Sequence, residues 1–168
     1  MTHKKLREVT AKNIPDELKQ RAQWVTWRAE WDEKKAKWNK PPVNPKTGRN
    51  ASSTNPVTWG TFQQAIDYYD KHKQNGCGGI GFVFTEADEF AGVDLDHCRD
   101  PETGEIEEWA QAIIEKLNSY SEVSPSNRGV KIFVKGKLLA GKKKGNIEAY
   151  NRGRYFTVTG GRINGVKS

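Results

Sequence analysis

The stretch Gly92-Val93-Asp94-Leu95-Asp96-His97 alternates acidic and apolar side chains. Successive side chains of a β-strand point to opposite faces, so Asp94 and Asp96 share one face and the two apolar residues share the other. Two neighbouring carboxylates repel each other unless a positive charge lies between them. A hard divalent cation with oxygen ligands, such as Mg²⁺ or Mn²⁺, fits this pair. The alternative is an ordinary solvent-facing strand that carries two aspartates.

Charge is unevenly distributed along this chain. The chain has 168 residues, a length that suits one domain, and its formal net charge is +7. The segment Glu86–Glu108 contains ten acidic residues and one base. The segment Glu122–Ser168 contains eleven lysines and arginines and two acids. An acidic centre beside a basic C-terminal third favours a polyanionic partner held against a metal site, although a solvated basic surface is the alternative.

Several features predict a soluble cytoplasmic protein without a membrane partner. The two cysteines, Cys77 and Cys98, complete no zinc site, and such sparse usage is typical of a reducing compartment. No apolar run approaches the length of a membrane span. The segment Met1–Thr10 is polar and lacks the apolar region of a signal peptide.

Side-chain periodicity predicts an α+β fold, in which a mixed or antiparallel sheet is backed by helices. The predicted elements are a short helix from Ile14 to about Gln23, a strand at Trp24–Trp31, helices at Thr58–His72 and Glu105–Tyr120, a hairpin of strands Ile80–Phe84 and Ala91–Asp96, and strands near 130–134, 147–150 and 155–160. We expect an N-terminal αβ lobe at about 14–78 and a catalytic sheet core at about 79–160. Residues 161–168 are interpreted as the start of a linker to a missing C-terminal region.

Two further features carry candidate chemistry. In the loop Ser124–Gly129, small hydroxyl residues and a glycine let backbone N–H groups approach phosphate oxygens, and Arg128 and Lys131 add positive charge. The alternative for Lys131 is that its ammonium group simply reaches to solvent along an apolar strand. Glu148 is an isolated acid in a basic segment, and an ordinary ion pair with a neighbouring base is its alternative.

The order of these features resembles the archaeo-eukaryotic primase superfamily, and most of all the primase-polymerase (prim-pol) domain of phage and plasmid replication proteins. The resemblance covers roughly Trp24–Gly160. Besides Asp-x-Asp, the serine loop and the lone acid, it rests on these segments: Asn39-Lys40-Pro41-Pro42 to Gly48, Trp59 at a helix start, Gly79–Val83 and Gly153–Gly160. Each motif is weak alone, and the ordered set is more specific.

The resemblance implies a DNA primase and DNA polymerase with an RNA-recognition-like primase core. Asp94, Asp96 and Glu148 would hold two Mg²⁺ or Mn²⁺ ions, and a 3′-hydroxyl would attack the α-phosphate of an NTP or dNTP. The implied triphosphate-binding residues are Ser124, Ser126, Arg128 and Lys131. The implied contacts to a single-stranded DNA template and primer are Lys40, Lys142, Lys143, Lys144, Arg152 and Arg154. A helicase region is expected in the full-length protein.

Two positions depart from the family pattern. Asn127 replaces a glycine, which is tolerable because asparagine adopts positive φ more readily than most residues. Lys131 replaces a histidine, and lysine can hold a triphosphate as a point charge but does not titrate near neutral pH. A catalytically weak nucleic-acid-binding or nucleotide-binding module of a replication protein is therefore the main alternative. A metal-dependent nuclease is a weaker one, because paired carboxylates and two metals also serve hydrolysis.

Overall fold

The computed structural model describes residues 5–136 and 142–165 of the chain. The strands in these residues are β1 (Trp24–Arg28), β2 (Glu30–Asp32), β3 (Lys37–Asn39), β4 (Pro42–Val43), β5 (Cys77–Phe84), β6 (Phe90–Leu95), β7 (Ser121–Val123), β8 (Val130–Lys135), β9 (Lys142–Lys144), β10 (Ile147–Tyr150) and β11 (Arg154–Val158). The helices are α1 (Asp16–Lys19), α2 (Phe62–His72) and α3 (Glu108–Leu117), with 3-10 turns at Ala11–Asn13 and Pro56–Thr58. Within the described ranges, no helix is both long enough and apolar enough to span a membrane.

The first sheet contains four antiparallel strands in the order β11-β5-β1-β4. Helix α2 packs against it, and the rings of Trp24 and Phe62 lie edge to face with their centroids 5.0 Å apart. A capping box begins the helix: the Thr61 hydroxyl accepts from the backbone N–H of Gln64, and the Gln64 side chain accepts from the N–H of Thr61. The helix packs Phe62, Ala65, Ile66 and Tyr69 into the core.

The second sheet contains five antiparallel strands in the order β7-β8-β6-β10-β9. Helix α3 covers one face, where Ala110 and Ile114 pack with Leu95, Val130 and Ile132. Because side chains alternate along a strand, this packing leaves Asp94 and its cross-strand neighbours on the opposite face. That face is turned toward the first sheet.

Aromatic rings join the two sheets. Gly92 lies at the junction, where a Cβ atom would be 2.3 Å from Cε2 of Phe156, so only glycine fits without movement of the ring. The Phe156 ring packs edge to face with Phe84 at a centroid distance of 5.0 Å and with Phe133 at 5.7 Å. Asp94 follows Gly92 by two residues on the same face, so its carboxylate lies beside this aromatic junction.

The predicted hairpin of Ile80–Phe84 and Ala91–Asp96 is wrong. Strand β5 pairs with β1 and β11, and β6 pairs with β8 and β10 in the other sheet. A strand has two hydrogen-bonding edges, and other partners fill both edges of each strand. Asp88 fixes the connection by accepting the N–H groups of Thr85 and Phe90, each at 2.8 Å.

Other element boundaries also differ from the predictions. Helix α1 has only four residues, and the strand predicted at Trp24–Trp31 is divided between β1 and β2. Helix α3 begins later than Glu105, because the N–H of Asp100 donates to the Glu105 carbonyl and Ile106 forms a bridge with Arg99. The predicted α+β class is confirmed. The division into an N-terminal lobe, a sheet core and a linker stays a prediction; strands from both predicted parts, β1 with β4 and β5 with β11, share the first sheet.

Candidate active site

One row of charged residues crosses the second sheet from edge to edge. The strand register aligns Glu122 with Lys131, Lys131 with Asp94, Asp94 with Glu148, and Glu148 with Lys143. Directly opposed residues of antiparallel strands project from the same face, so all five side chains lie on one surface. The sheet thus brings together Asp94, Glu148 and Lys131, which are far apart in the sequence.

Two ion pairs compensate the carboxylates in this row. Lys131 Nζ lies 3.3 Å from Asp94 Oδ1, and both side chains are largely buried, with 13% and 16% exposed. Lys143 Nζ lies 3.0 Å from Glu148 Oε1; the glutamate side chain is 16% exposed and the lysine 71%. The ammonium group of Lys131 also lies 4.5 Å from the centroid of the Phe156 ring. Positive side chains therefore stabilise two adjacent acids that would otherwise repel each other.

Asp96 completes the acidic group at the end of β6. Its backbone N–H donates to the Asn146 carbonyl at 2.8 Å, and the chain then turns at His97, whose φ is 52°. Burial raises the pKa of the Asp96 carboxyl, the negative charges of Asp94 and Glu148 raise it further, and the charge of Lys131 opposes them. The three predicted carboxylates thus act on one another electrostatically.

The acidic group fits a divalent cation in its chemistry. Its donors are carboxylate oxygens, which Mg²⁺ and Mn²⁺ prefer, and their mutual repulsion is the kind that a cation relieves. In residues 5–136 and 142–165, however, no three acidic, histidine or cysteine side chains converge closely enough to form a ready-made metal site. Lys131 and Lys143 occupy oxygens of Asp94 and Glu148, so a cation would compete with these lysines.

The serine loop leads into β8 and ends beside the row. The Ser124 hydroxyl accepts the N–H of Gly129 at 3.1 Å, and the Ser126 hydroxyl accepts the N–H of Arg128 at 3.2 Å. Asn127 has a φ of 67°, as its tolerance of positive φ predicts, and its N–H donates to the Ser124 carbonyl. The loop thus uses the N–H groups of Asn127, Arg128 and Gly129 internally, and phosphate binding at this loop stays a prediction. In the same loop, Arg128 Nε is buried without a hydrogen-bond partner among the described residues.

Lys40 belongs with the charges of the row. Burial lowers the pKa of Lys40, the charge of Lys131 lowers it further, and the carboxylates of Asp94 and Asp96 act in the opposite direction. The Tyr155 hydroxyl donates to the Lys40 carbonyl and fixes the backbone there. Sequence reasoning assigned Lys40 to nucleic acid, whereas the structure also brings it into the electrostatic environment of the carboxylates.

The other predicted nucleic-acid contacts are spread over the surface. Lys144 is exposed on β9, and the side chain of Lys142 lies outside the described residues. Arg152 pairs with Glu86, in the turn that follows β5. The Arg154 guanidinium lies 4.9 Å from the centroid of the Tyr150 ring. These arginines are not part of the charged row.

Sequence reasoning missed Glu122, the buried end of the row. Its carboxylate accepts the backbone N–H groups of Thr159 at 3.1 Å and Gly160 at 2.6 Å, and the hydroxyl of Tyr120 at 3.0 Å. Because the side chain is fully buried, the pKa of Glu122 is raised to about 7. The alternation of acidic Glu122 with apolar Val123 in a short strand was a sequence signal that these side chains point to opposite faces. Only the pairing of β7 with β8, which sets Glu122 opposite Lys131, places Glu122 in the row.

We expect Glu122 to make stability fall as the pH rises from about 4.5 to about 7. In this window the unfolded chain loses the proton that the folded protein retains, so ionisation favours unfolding. The full effect is on the order of 3 kcal/mol. Urea unfolding at about pH 5 and about pH 8 measures it, and Glu122→Gln should flatten the dependence. An unchanged pH profile in this variant would contradict the assignment.

Comparison with known proteins is consistent with the geometry. No protein-family profile matches the chain. Over 150 residues, or 85% of the chain, the sequence is 38% identical to the DNA Primase-polymerase of Nitratiruptor phage NrS-1. This match covers 20% of the phage protein, so the chain spans about a fifth of the length of this curated relative. The chain is a homologue of part of that protein, which confirms the resemblance to prim-pol domains.

Proposed function

We propose that this chain catalyses template-dependent nucleotidyl transfer, as a DNA primase and DNA polymerase in the replication of a phage, plasmid or other mobile element. Homology with part of a DNA Primase-polymerase supports the activity. The observation that carries the proposal is the position of Asp94, between Glu148 on one neighbouring strand and Lys131 on the other. We place the activity in the cytoplasm, and the expected helicase region stays a prediction.

In this proposal Asp94, Asp96 and Glu148 would hold two Mg²⁺ or Mn²⁺ ions, which would activate the 3′-hydroxyl and neutralise the departing pyrophosphate. The 3′-oxygen would form a bond to the α-phosphorus. The bond between the α-phosphorus and the oxygen that bridges to the β-phosphate would break, so pyrophosphate leaves. The hydroxyl proton would pass to solvent. Lys131 and Arg128, together with Ser126, would hold the triphosphate. Lys131 would exchange its contact with Asp94 for a phosphate oxygen, and Lys40 would add positive charge at the same place.

The test is extension of a labelled primer on a single-stranded template with Mn²⁺ and dNTPs. A reaction with template alone tests priming, and a reaction without nucleotides tests nuclease activity. Nucleotide-dependent extension supports the proposal. Cleavage without nucleotides would favour the nuclease hypothesis. Intact DNA binding with neither reaction would favour the binding module, for which the pairing of Lys131 with Asp94 is the specific observation.

Replacing Lys131 with alanine should lower kcat/KM for dNTPs roughly a hundredfold, because a charged contact to phosphate is lost. Steady-state extension over a range of dNTP concentrations measures this effect. Lys143→Ala is the matched control, since it also removes a lysine from the row but leaves the positions nearest the serine loop intact. Equal effects of the two substitutions would argue against a triphosphate contact at Lys131. Lys131→His should retain more activity than the alanine variant.

A further inference from the structure

The hairpin formed by β2 and β3, residues 30–39, stands apart from both sheets. Among the described strands, β2 and β3 pair only with each other. Its turn is preformed, because Asp32 Oδ1 accepts the N–H groups of Lys34 at 3.0 Å and Lys35 at 3.1 Å, while Ala36 adopts a φ of 50°. The hairpin is therefore held by its own strand pairing and turn, without pairing to a larger sheet.

The hairpin carries three lysines, whose formal charge is balanced by Glu30, Asp32 and Glu33. Lys34, Lys35 and Lys37 are exposed, and none of their ammonium groups forms an ion pair with another residue in the described part of the chain. The acids are partly engaged elsewhere: Asp32 accepts N–H groups of the turn, and Glu30 pairs with Arg28. Each of these ammonium groups can therefore contact a phosphate of a nucleic acid.

Two tryptophans lie between these lysines and the body of the protein. Trp31 and Trp38 face each other across the hairpin, with ring centroids 5.3 Å apart and an interplanar angle of 74°. Both are only partly buried, unlike Trp24 and Trp27 in the core. Partly exposed aromatic rings beside lysines can provide a surface for unpaired bases, which stack without sequence preference.

The hairpin also leads directly to the carboxylates. Strand β3 ends at Asn39, and the next residue is Lys40, which lies within the electrostatic environment of Asp94 and Asp96. From the exposed lysines, the aromatic pair and this continuity, we propose that the β2–β3 hairpin holds the single-stranded DNA template as it approaches the active site. This inference rests on the proposed function and adds the element that positions the template.

The test measures binding of the whole chain to a labelled single-stranded oligothymidine by fluorescence anisotropy, without metal or nucleotide. Lys34→Ala/Lys35→Ala/Lys37→Ala should raise the Kd about tenfold and reduce the slope of log K against log salt by about 2, because three phosphate contacts are lost. The matched control is Lys12→Ala/Lys71→Ala/Lys116→Ala, which removes the same charge from exposed positions outside the hairpin. Equal effects of the two triple variants would overturn the proposal.

Stacking is tested separately with Trp38. Trp38→Ala should raise the Kd for single strands about tenfold and change the Kd for a blunt duplex much less, whereas Trp38→Phe should retain most of the affinity. Equal losses for single strands and duplex would exclude the template role. Because these experiments need no catalysis, a protein that binds through the hairpin but never extends a primer would refute the proposed function alone. A protein that extends primers and tolerates every hairpin variant would refute the hairpin inference alone.

Discussion

Replacing Asp94 with asparagine is expected to lower primer extension about a thousandfold, which corresponds to roughly 4 kcal/mol of transition-state stabilisation. The substitution keeps the shape of the side chain and removes the charge at the centre of the row, where Lys131 and Glu148 flank it. Two of the oxygen donors that would hold the cations are thereby weakened or lost. Single-turnover extension with saturating dNTP and Mn²⁺ measures the rate.

The control for this variant is Asp70→Asn, an exposed aspartate on helix α2 outside the row. It should extend primers at the rate of the unchanged protein. DNA binding by Asp94→Asn should remain within about twofold, because the proposed phosphate contacts are positive side chains elsewhere. Extension by Asp94→Asn at a tenth or more of the normal rate would place the chemistry on other residues.

Replacing Phe156 with alanine is expected to lower the free energy of unfolding by about 4 kcal/mol. The Phe156 ring contacts Phe84 and Phe133 at the junction of the two sheets and covers the space above Gly92. Alanine would leave a cavity between rings that cannot all move to fill it. Urea unfolding followed by tryptophan fluorescence measures the loss.

Phe156→Leu is the matched variant, because it retains an apolar side chain of similar volume and should cost only about 1 kcal/mol. The leucine variant also removes the ring beneath the ammonium group of Lys131 while keeping the sheets together. If the alanine and leucine variants are equally stable, the junction is not packed as the structure has it.

Patterns within single segments could be predicted from the sequence. Alternation placed Asp94 on a strand, although β6 ends at Leu95, one residue before Asp96, and periodicity predicted the helix that forms α2. The positive φ of Asn127 followed from the conformational freedom of asparagine. These properties depend on neighbours a few residues away, which the sequence displays directly.

Properties that depend on strand pairing could not be predicted in the same way. The order of strands in a sheet is decided by non-local contacts, so β5 and β6 read as a hairpin although they belong to different sheets. The same limitation hid Glu122, whose place in the row depends on the register of β7 with β8. The same limitation hid the proximity of Lys40 to the carboxylates, because strand pairing in the first sheet places the segment that contains Lys40 near them.

The strand order β7-β8-β6-β10-β9 has a consequence for protein synthesis. During synthesis Asp94 leaves the ribosome before Lys131, and Lys131 leaves before Glu148. In the folded sheet, however, Asp94 lies between these two later residues. A nascent or proteolysed fragment that ends before Ile147 therefore carries the aspartate pair without the neighbouring strand that completes the site. Pairings between such distant segments also form slowly. The proposed nucleotide incorporation would thus be a late reporter of maturation, because it would detect only chains whose second sheet is fully assembled.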